Sequence, residues 1–414
     1  MVLIELSKKR QSDSEYSMRN HSMRKMENQN LRVLLLSVGT LSGHRQAAEA
    51  IKQTLKKLYP DAETQNVNLF RYANSFWVCL LDGLYHAILK FVPWFWNLIW
   101  DSKEVYWLTY GLRSTLCQLN WFRLYREVIR PFSPHVIICT YSLACAMCAI
   151  IKKKKRSDFL LAAASTDFSL NPYWFDNSVD VYFLPHEALR KKLIKKGISP
   201  GKLCTVGIPI SMNFSEPKNK DDLRKRWQVR KDLFTILLMG GGLGMGSLKE
   251  IVVTLDNSHL PIQLLVVTGI NRRLKRKLQA LESHLNLPIK VFGYIKKIDE
   301  LMEISDLLIS KPGGLTTAES LVKKVPLAIV DSLAGQERRN QQLLSERGIT
   351  FELKDKEDLI DLIRGFLNNS FDLTQWQHGV SSLARPQATQ EIVEKLVSLT
   401  KEKKDDSRIS GSTH

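Results

Sequence analysis

The sequence predicts an α/β protein of two doubly wound, Rossmann-like domains facing a cleft. Three observations carry that prediction. Short apolar runs alternate with helix-like stretches along most of the chain. The alternation breaks at the polar stretch SMNFSEPKNKDD and then restarts. Glycine-rich turns follow apolar runs directly, where a strand hands over to a helix. Strands that are apolar throughout have no solvent face, which is the pattern of parallel sheets covered by helices on both sides.

In order along the chain, LRVLLLSVG reads as the first strand and HRQAAEAIKQTLKKLY as the helix behind it. HVIICTY leads into the helical LACAMCAIIKK, FLLAAASTD into VDVYFLP, and HEALRKKLIKKG into TVGIPI. After the polar stretch come FTILLMGGG, SLKEIVVTL, IQLLVVTG, RRLKRKLQALESHL and IKVFGY. The helical DELMEISD, the strand LLISKPGG, the helix TTAESLVKK and the strand PLAIVDS complete the pattern. At 414 residues the chain is long for a single core, in keeping with two domains. The division is a poorly ordered segment 1–29, a first domain 30–210, a linker 211–225 and a second domain 226–375. A helical segment 376–400 and a charged tail 401–414 follow.

Sixty basic residues face 42 acidic ones, a net charge of +18 that draws the protein to polyanions. The basic runs KKKKR, LRKKLIKKG and NRRLKRKL are scattered over helix faces and belong to no nucleic-acid module, so no nucleic-acid partner is expected. Cys145 and Cys148 form a CxxC in an apolar helical setting, without a second ligand pair. They read as packing cysteines in a reducing compartment, and no metal site is expected. No secretory signal is visible, so a cytoplasmic location is expected.

Residues 76–110 hold five of the nine tryptophans, but Asp82, His86, Lys90 and Pro93 interrupt them too often for a spanning helix. Two readings stand side by side: an aromatic core between helices, or an interfacial segment that dips Trp94, Trp96 and Trp100 into headgroups.

Ligands of open α/β sheets sit outside the carboxyl ends of the strands, which singles out four loops. GGGLGMG, residues 240–246, offers backbone N–H groups at a helix start, a setting suited to phosphate. It lacks the closing Lys-Ser/Thr of a Walker loop and the downstream acid of a dinucleotide site. SKPGGLTTAES, 310–320, places Gly313, Gly314, Leu315 and Thr316 at another helix start. Glu319 then sits in the first turn, either as a helix-dipole partner or as an acceptor for two vicinal ribose hydroxyls. AGQERRNQQLL supplies Gln336, Glu337 and Asn340, polar groups that suit a hydroxyl-rich ligand such as a sugar. In SVGTLSGHRQAAEAI, His44 enters a helix whose N-terminus lowers its pKa, which keeps the imidazole neutral for general-base work near pH 7.

The string DLLISKPGGLTTAESLVKKVPLAIVDSLAGQERRNQQLLSERG resembles the donor signature of glycosyltransferase family 28. Within that family the chain is similar to the monogalactosyldiacylglycerol synthases and the processive diacylglycerol glucosyltransferases. They share the SGH-xx-AAEAI start, TDF followed by Trp, GIPI and MGGGLG, at 42–51, 166–174, 207–210 and 239–244. The resemblance implies a GT-B fold, with an acceptor- and membrane-binding first domain and a UDP-sugar-binding second domain. The helix in 376–400 would return to the first domain. Gly240, Gly241 and Gly242 and the loop Gly313, Gly314, Leu315 and Thr316 would meet the diphosphate, and Glu319 the ribose. Phe292, Tyr294 and Ile295 lie at a strand end placed for uracil, with Gln336, Glu337 and Asn340 towards the sugar. His44 would be the base.

The implied activity moves galactose or glucose from a UDP-sugar to diacylglycerol with inversion, by an enzyme held at an anionic membrane surface. No cofactor is implied, since the UDP-sugar is itself a substrate. Tyr141, Ser142 and Asn171 stand where the family usually carries other residues, all on the acceptor side. They leave two alternatives: a transferase acting on another lipid-linked acceptor, or a nucleotide-sugar-binding regulatory protein without turnover.

Overall fold

Two six-stranded parallel sheets organise the protein, and the computed structural model describes residues 31–39, 41–72, 103–331 and 335–411. Trp94, Trp96 and Trp100 lie outside the described residues.

The first sheet comprises β1 (Arg32–Ser37), β2 (Glu63–Asn68), β3 (Val136–Cys139), β4 (Leu160–Ala164), β5 (Val181–Leu184) and β6 (Leu203–Thr205). Their order is β2-β1-β3-β4-β5-β6. The second comprises β7 (Phe234–Met239), β8 (Ile262–Val267), β9 (Ile289–Phe292), β10 (Leu307–Ser310), β11 (Leu327–Ile329) and β12 (Thr350–Glu352). Their order is β12-β11-β10-β7-β8-β9. Each sheet therefore reverses direction at its opening strand, between β1 and β3 and between β7 and β10. At such a switch the loops from neighbouring strands diverge and leave a crevice.

Strand periodicity divides each sheet between two cores. In β1, Leu34 and Leu36 face one apolar cluster while Val33 and Leu35 face another. In β7, Leu237 and Met239 face one and Ile236 and Leu238 the other. The helices that matter for the site are α1 (Gly43–Leu58), α2 (Lys103–Leu124), α3 (Ser142–Lys155) and α4 (Leu248–Asn257). To these are added α5 (Gly314–Lys323), α6 (Gln336–Ser345) and α7 (Ala388–Gly411). α3 covers one face of the first sheet with Cys145, Met147 and Cys148, all buried free thiols or thioether. α1 and α7 cover the other, where Ile392, Val393, Leu396 and Val397 pack against Val33, Leu35, Ile51 and Ile138. The last helix of the chain thus completes the first domain. It continues through the charged stretch after residue 400, where Lys403 pairs with Asp158 at 2.6 Å.

The polar stretch between the domains is not all linker. Asn219 caps a helix, Lys220–Trp227, by accepting the N–H groups of Asp221 and Asp222. Acids in its first turn and bases in its last suit the helix dipole, and Leu223 anchors it. An apolar seam then joins the domains directly: Ala47 and Phe168 share one buried cluster with Leu315 and Ala318.

Candidate active site in the interdomain cleft

His44 stands at the switch point of the first sheet. Ser42 caps α1 by accepting the Arg45 N–H at 3.3 Å while its own hydroxyl donates to the Val38 carbonyl, which places His44 in the first turn. Its Nδ1 is 2.7 Å from the Thr140 carbonyl, in the loop after β3. A carbonyl only accepts, so Nδ1 carries the proton and Nε2 the lone pair. Nε2 has no hydrogen-bond partner among the described residues. The Thr140 hydroxyl donates back to the His44 carbonyl at 2.9 Å, and the ring of Tyr141 stands edge-on at 5.0 Å. Burial lowers the imidazole pKa from 6.5, against the opposing charge of Asp167 and the bond to Thr140. The ring is therefore neutral at pH 7 and competent to accept a proton.

The Thr166–Asp167–Phe168 stretch after β4 links this histidine to the second domain. The Thr166 hydroxyl lies 2.9 Å from His44 Nδ1 and donates to Asp167 Oδ2 at 3.3 Å. Asn340, fully buried on α6, donates from Nδ2 to Asp167 Oδ1 and to the Pro312 carbonyl, each at 3.1 Å. Its Oδ1 accepts the Phe168 N–H at 3.1 Å. Burial raises the Asp167 pKa above the usual carboxylate value, opposed by His44, by donation from Asn340 and Thr166, and by the Gly314 N–H at the start of α5. His186 secures the same loop: Nδ1 accepts the Leu189 N–H, so Nε2 donates to the Phe168 carbonyl at 2.8 Å.

Both glycine loops of the second domain border its switch point. In GGGLGMG the glycines answer first to close packing. A Cβ on Gly244, whose φ is +61°, would lie 1.9 Å from the Thr268 carbonyl oxygen. One on Gly242 would lie 2.6 Å from the Leu41 carbonyl oxygen across the cleft. The start of α4 is met by an internal anion, because Asp331 accepts the Ser247 N–H at 2.7 Å and its hydroxyl at 3.1 Å.

Between the domains lies a cleft with an empty volume of about 1050 Å³, open mouth included. Of the residues expected at the donor site, Gly241, Gly242, Tyr294, Ile295, Leu315, Thr316 and Glu319 line it. Gln46 and Glu49 of α1 form the opposite wall, and Gln46 Nε2 donates to the Tyr294 hydroxyl at 3.0 Å. The Glu319 carboxyl has no hydrogen bond or ion pair among the described residues, and desolvation pushes its pKa up to about 8. A half-buried carboxyl without a partner inside a cleft is poised for a ligand's donors.

The other expected residues stand apart from that wall. Gly240 lies behind it, its carbonyl accepting the Met245 N–H at 2.9 Å. Phe292 packs edge-on against Trp227 at 5.5 Å. Gly313 caps α5, and Gln336 Nε2 reaches the Ser169 carbonyl at 3.5 Å across the domains. Glu337 sits in the first turn of α6, while Asn340 is wholly engaged with Asp167, Phe168 and Pro312. The sequence reading includes Thr166 and Asp167 in the TDF motif without giving either a role, and it does not single out Thr140, His186 or Gln46. Among the described residues no cluster of three or more His, Cys, Asp or Glu side chains is arranged to hold a metal.

Fold and cleft together are those of the two-domain GT-B type. Residues 44–210 match the monogalactosyldiacylglycerol (MGDG) synthase family, and residues 235–382 match the glycosyltransferase family 28 C-terminal domain. The first domain is thus of the MGDG-synthase kind, and the second is of the glycosyltransferase family 28 C-terminal kind. It is 25% identical over 381 residues to the processive diacylglycerol beta-glucosyltransferase of Bacillus licheniformis, covering 89% of this chain and 95% of that one. The Bacillus cereus protein of the same description is 26% identical, covering 89% and 94%. Among solved structures, MurG of Acinetobacter baumannii superposes with a TM-score of 0.58 at 16% identity, covering 89% of this chain and 99% of that one. Anabaena HepE in complex with UDP gives 0.51 at 14% identity, covering 89% and 100%. These two likenesses concern the fold.

Proposed function

We propose that the protein is a membrane-associated inverting transferase that moves glucose or galactose from a UDP-sugar to diacylglycerol. The observation that carries the reading is the cleft itself, with an unpartnered, half-buried carboxyl on its second-domain wall and a neutral histidine next in sequence to Gly43 of its first-domain wall. The relatives named as diacylglycerol glucosyltransferases support the acceptor and, among hexoses, favour glucose.

In this scheme Gly241, Gly242 and the N-terminus of α5 take the diphosphate, Glu319 accepts from the ribose hydroxyls, and Tyr294 and Ile295 border the uracil. Gln336 and Glu337 approach the hexose from the start of α6, while Asn340 supports them from behind. His44 Nε2 removes the proton of the acceptor hydroxyl as that oxygen attacks the anomeric carbon. The UDP oxygen departs from the opposite face, which inverts the configuration. Backbone N–H groups aimed at the diphosphate stabilise the charge that grows on it.

The surface supports docking at a bilayer. Leu119 and Phe122 on α2 are 68% and 50% exposed. Arg126 stands 5.9 Å from the Phe122 ring, and Lys154 and Lys155 stand 5.0 and 5.6 Å from the Trp121 ring. Exposed apolar side chains flanked by cations suit an anionic headgroup layer. Among the described residues no helix is long and apolar enough to cross a membrane.

Incubation with labelled UDP-glucose and UDP-galactose separately, on mixed micelles containing diacylglycerol, tests the reading. A labelled glycolipid is expected. Absence of labelled lipid with both donors, while UDP still binds, would favour the regulatory alternative.

A further inference from the structure

We propose that Asp167 is the positioning residue of His44, and that the second domain holds Asp167 in place through Asn340 and Gly314. The inference rests on His44 acting as the base in the reading above.

The hydrogen bonds form a continuous path. His44 Nδ1 meets the Thr166 hydroxyl at 2.9 Å, and that hydroxyl donates its single proton to Asp167 Oδ2. The opposite carboxylate oxygen accepts from Asn340 Nδ2, and the Gly314 N–H adds a further donor. Of these three donors, Thr166 belongs to the first domain, whereas Asn340 and Gly314 belong to the second. Asn340 has no group left for a ligand, since its remaining N–H goes to Pro312 and its oxygen to Phe168. This amide is therefore a strut between domains. It is among the residues that sequence assigns to the sugar, and its geometry gives it another task.

The consequence concerns when the base works. As His44 takes a proton it becomes an imidazolium, and the Asp167 charge stabilises that form. The groups facing His44 are Asp167 from the loop after β4 and the phenol of Tyr141 from the start of α3. Facing Asp167, the titratable partner is His44. Separating the domains removes Asn340 and Gly314 together, and a carboxylate stripped of two donors turns to water. Stabilisation of the imidazolium is thus a property of the closed cleft. Proton removal from the acceptor is confined to the state in which both domains surround the substrates.

Asp167→Asn, Asn340→Ala and the double variant test this. The full-length protein carries isotope-labelled histidine, with the His44 resonance assigned through His44→Gln. In Asp167→Asn the His44 titration midpoint moves to lower pH, kcat falls about tenfold or more, and KM for the UDP-sugar changes little. Asn340→Ala moves the midpoint in the same direction by less, and the double variant moves it no further than Asp167→Asn alone. A midpoint unchanged in Asp167→Asn overturns the proposal, and so does a double variant whose shift is the sum of the two. The titration needs no turnover. If the wild-type protein transfers no sugar, the reading of function fails while the Asp167 linkage is still judged by the midpoints.

Discussion

The Nδ1 nitrogen of His44 lies 2.7 Å from the Thr140 carbonyl oxygen, at the point where the first sheet reverses its strand order. That bond fixes the tautomer and makes Nε2 the basic nitrogen. His44→Ala is expected to lower kcat by about 10²- to 10⁴-fold, with the Kd for UDP unchanged. Because burial lowers the imidazole pKa from 6.5, the base stays neutral as pH falls to that value. The acid limb of the kcat profile therefore lies below pH 6.5. An acid limb centred above pH 6.5 would mean that another group takes the proton.

Glu319 should make UDP binding depend on pH. Desolvation raises its pKa to about 8, so the carboxyl is largely protonated in the empty cleft at neutral pH. Ribose hydroxyls donate best to the ionised form, so binding releases a proton and tightens as pH rises through 7 towards 8, then levels off. Calorimetry in buffers of different ionisation enthalpy reads that proton directly. Glu319→Gln should weaken binding and flatten the pH dependence, and a slope that survives the substitution would assign the proton elsewhere.

The contact between α5 and the Thr166–Asp167 backbone requires a hydrogen at residue 314. A Cβ on Gly314 would lie 2.1 Å from the Thr166 carbonyl oxygen and 2.7 Å from the Asp167 Cα, both backbone atoms that cannot swing aside. Gly314→Ala is expected to hold the domains apart. Small-angle scattering would show a larger radius of gyration, and transfer would fall at least tenfold while each domain stays folded. An unchanged radius would mean that the loop rearranges locally.

Leu119→Ser with Phe122→Ser removes the exposed apolar pair of α2 without touching the cleft. Binding to vesicles rich in anionic lipid should drop several-fold, and UDP affinity should remain. Replacing Trp94, Trp96 and Trp100 together tests the membrane contact expected from the sequence. If both sets leave vesicle binding intact, the docking face lies elsewhere.

The central strands were legible because burial on both faces makes them apolar throughout. β2, with the sequence ETQNVN, and the short β12 escaped the reading, since edge strands are half exposed and carry polar residues. The glycine loops and Glu319 were legible because each motif is local. The Asp167–Asn340 and Gln46–Tyr294 contacts were not, because each pairs residues far apart in sequence whose meeting depends on how the two domains face each other. The same limit explains Asn340. Its position in a polar helix start suggested a ligand, and only the interdomain geometry supplies its partners.

The return of α7 to the first sheet also constrains the order in which the chain matures. Until the last helix leaves the ribosome, the sheet face carrying Val33, Leu35 and Ile138 lacks the cover of Ile392, Val393, Leu396 and Val397. The second domain lies between these partners in sequence and can close its own core earlier, from contacts within residues 234–367. During synthesis the first domain emerges before the second yet is finished after it, and a nascent chain stalled before residue 388 exposes an apolar sheet face for chaperones to shield.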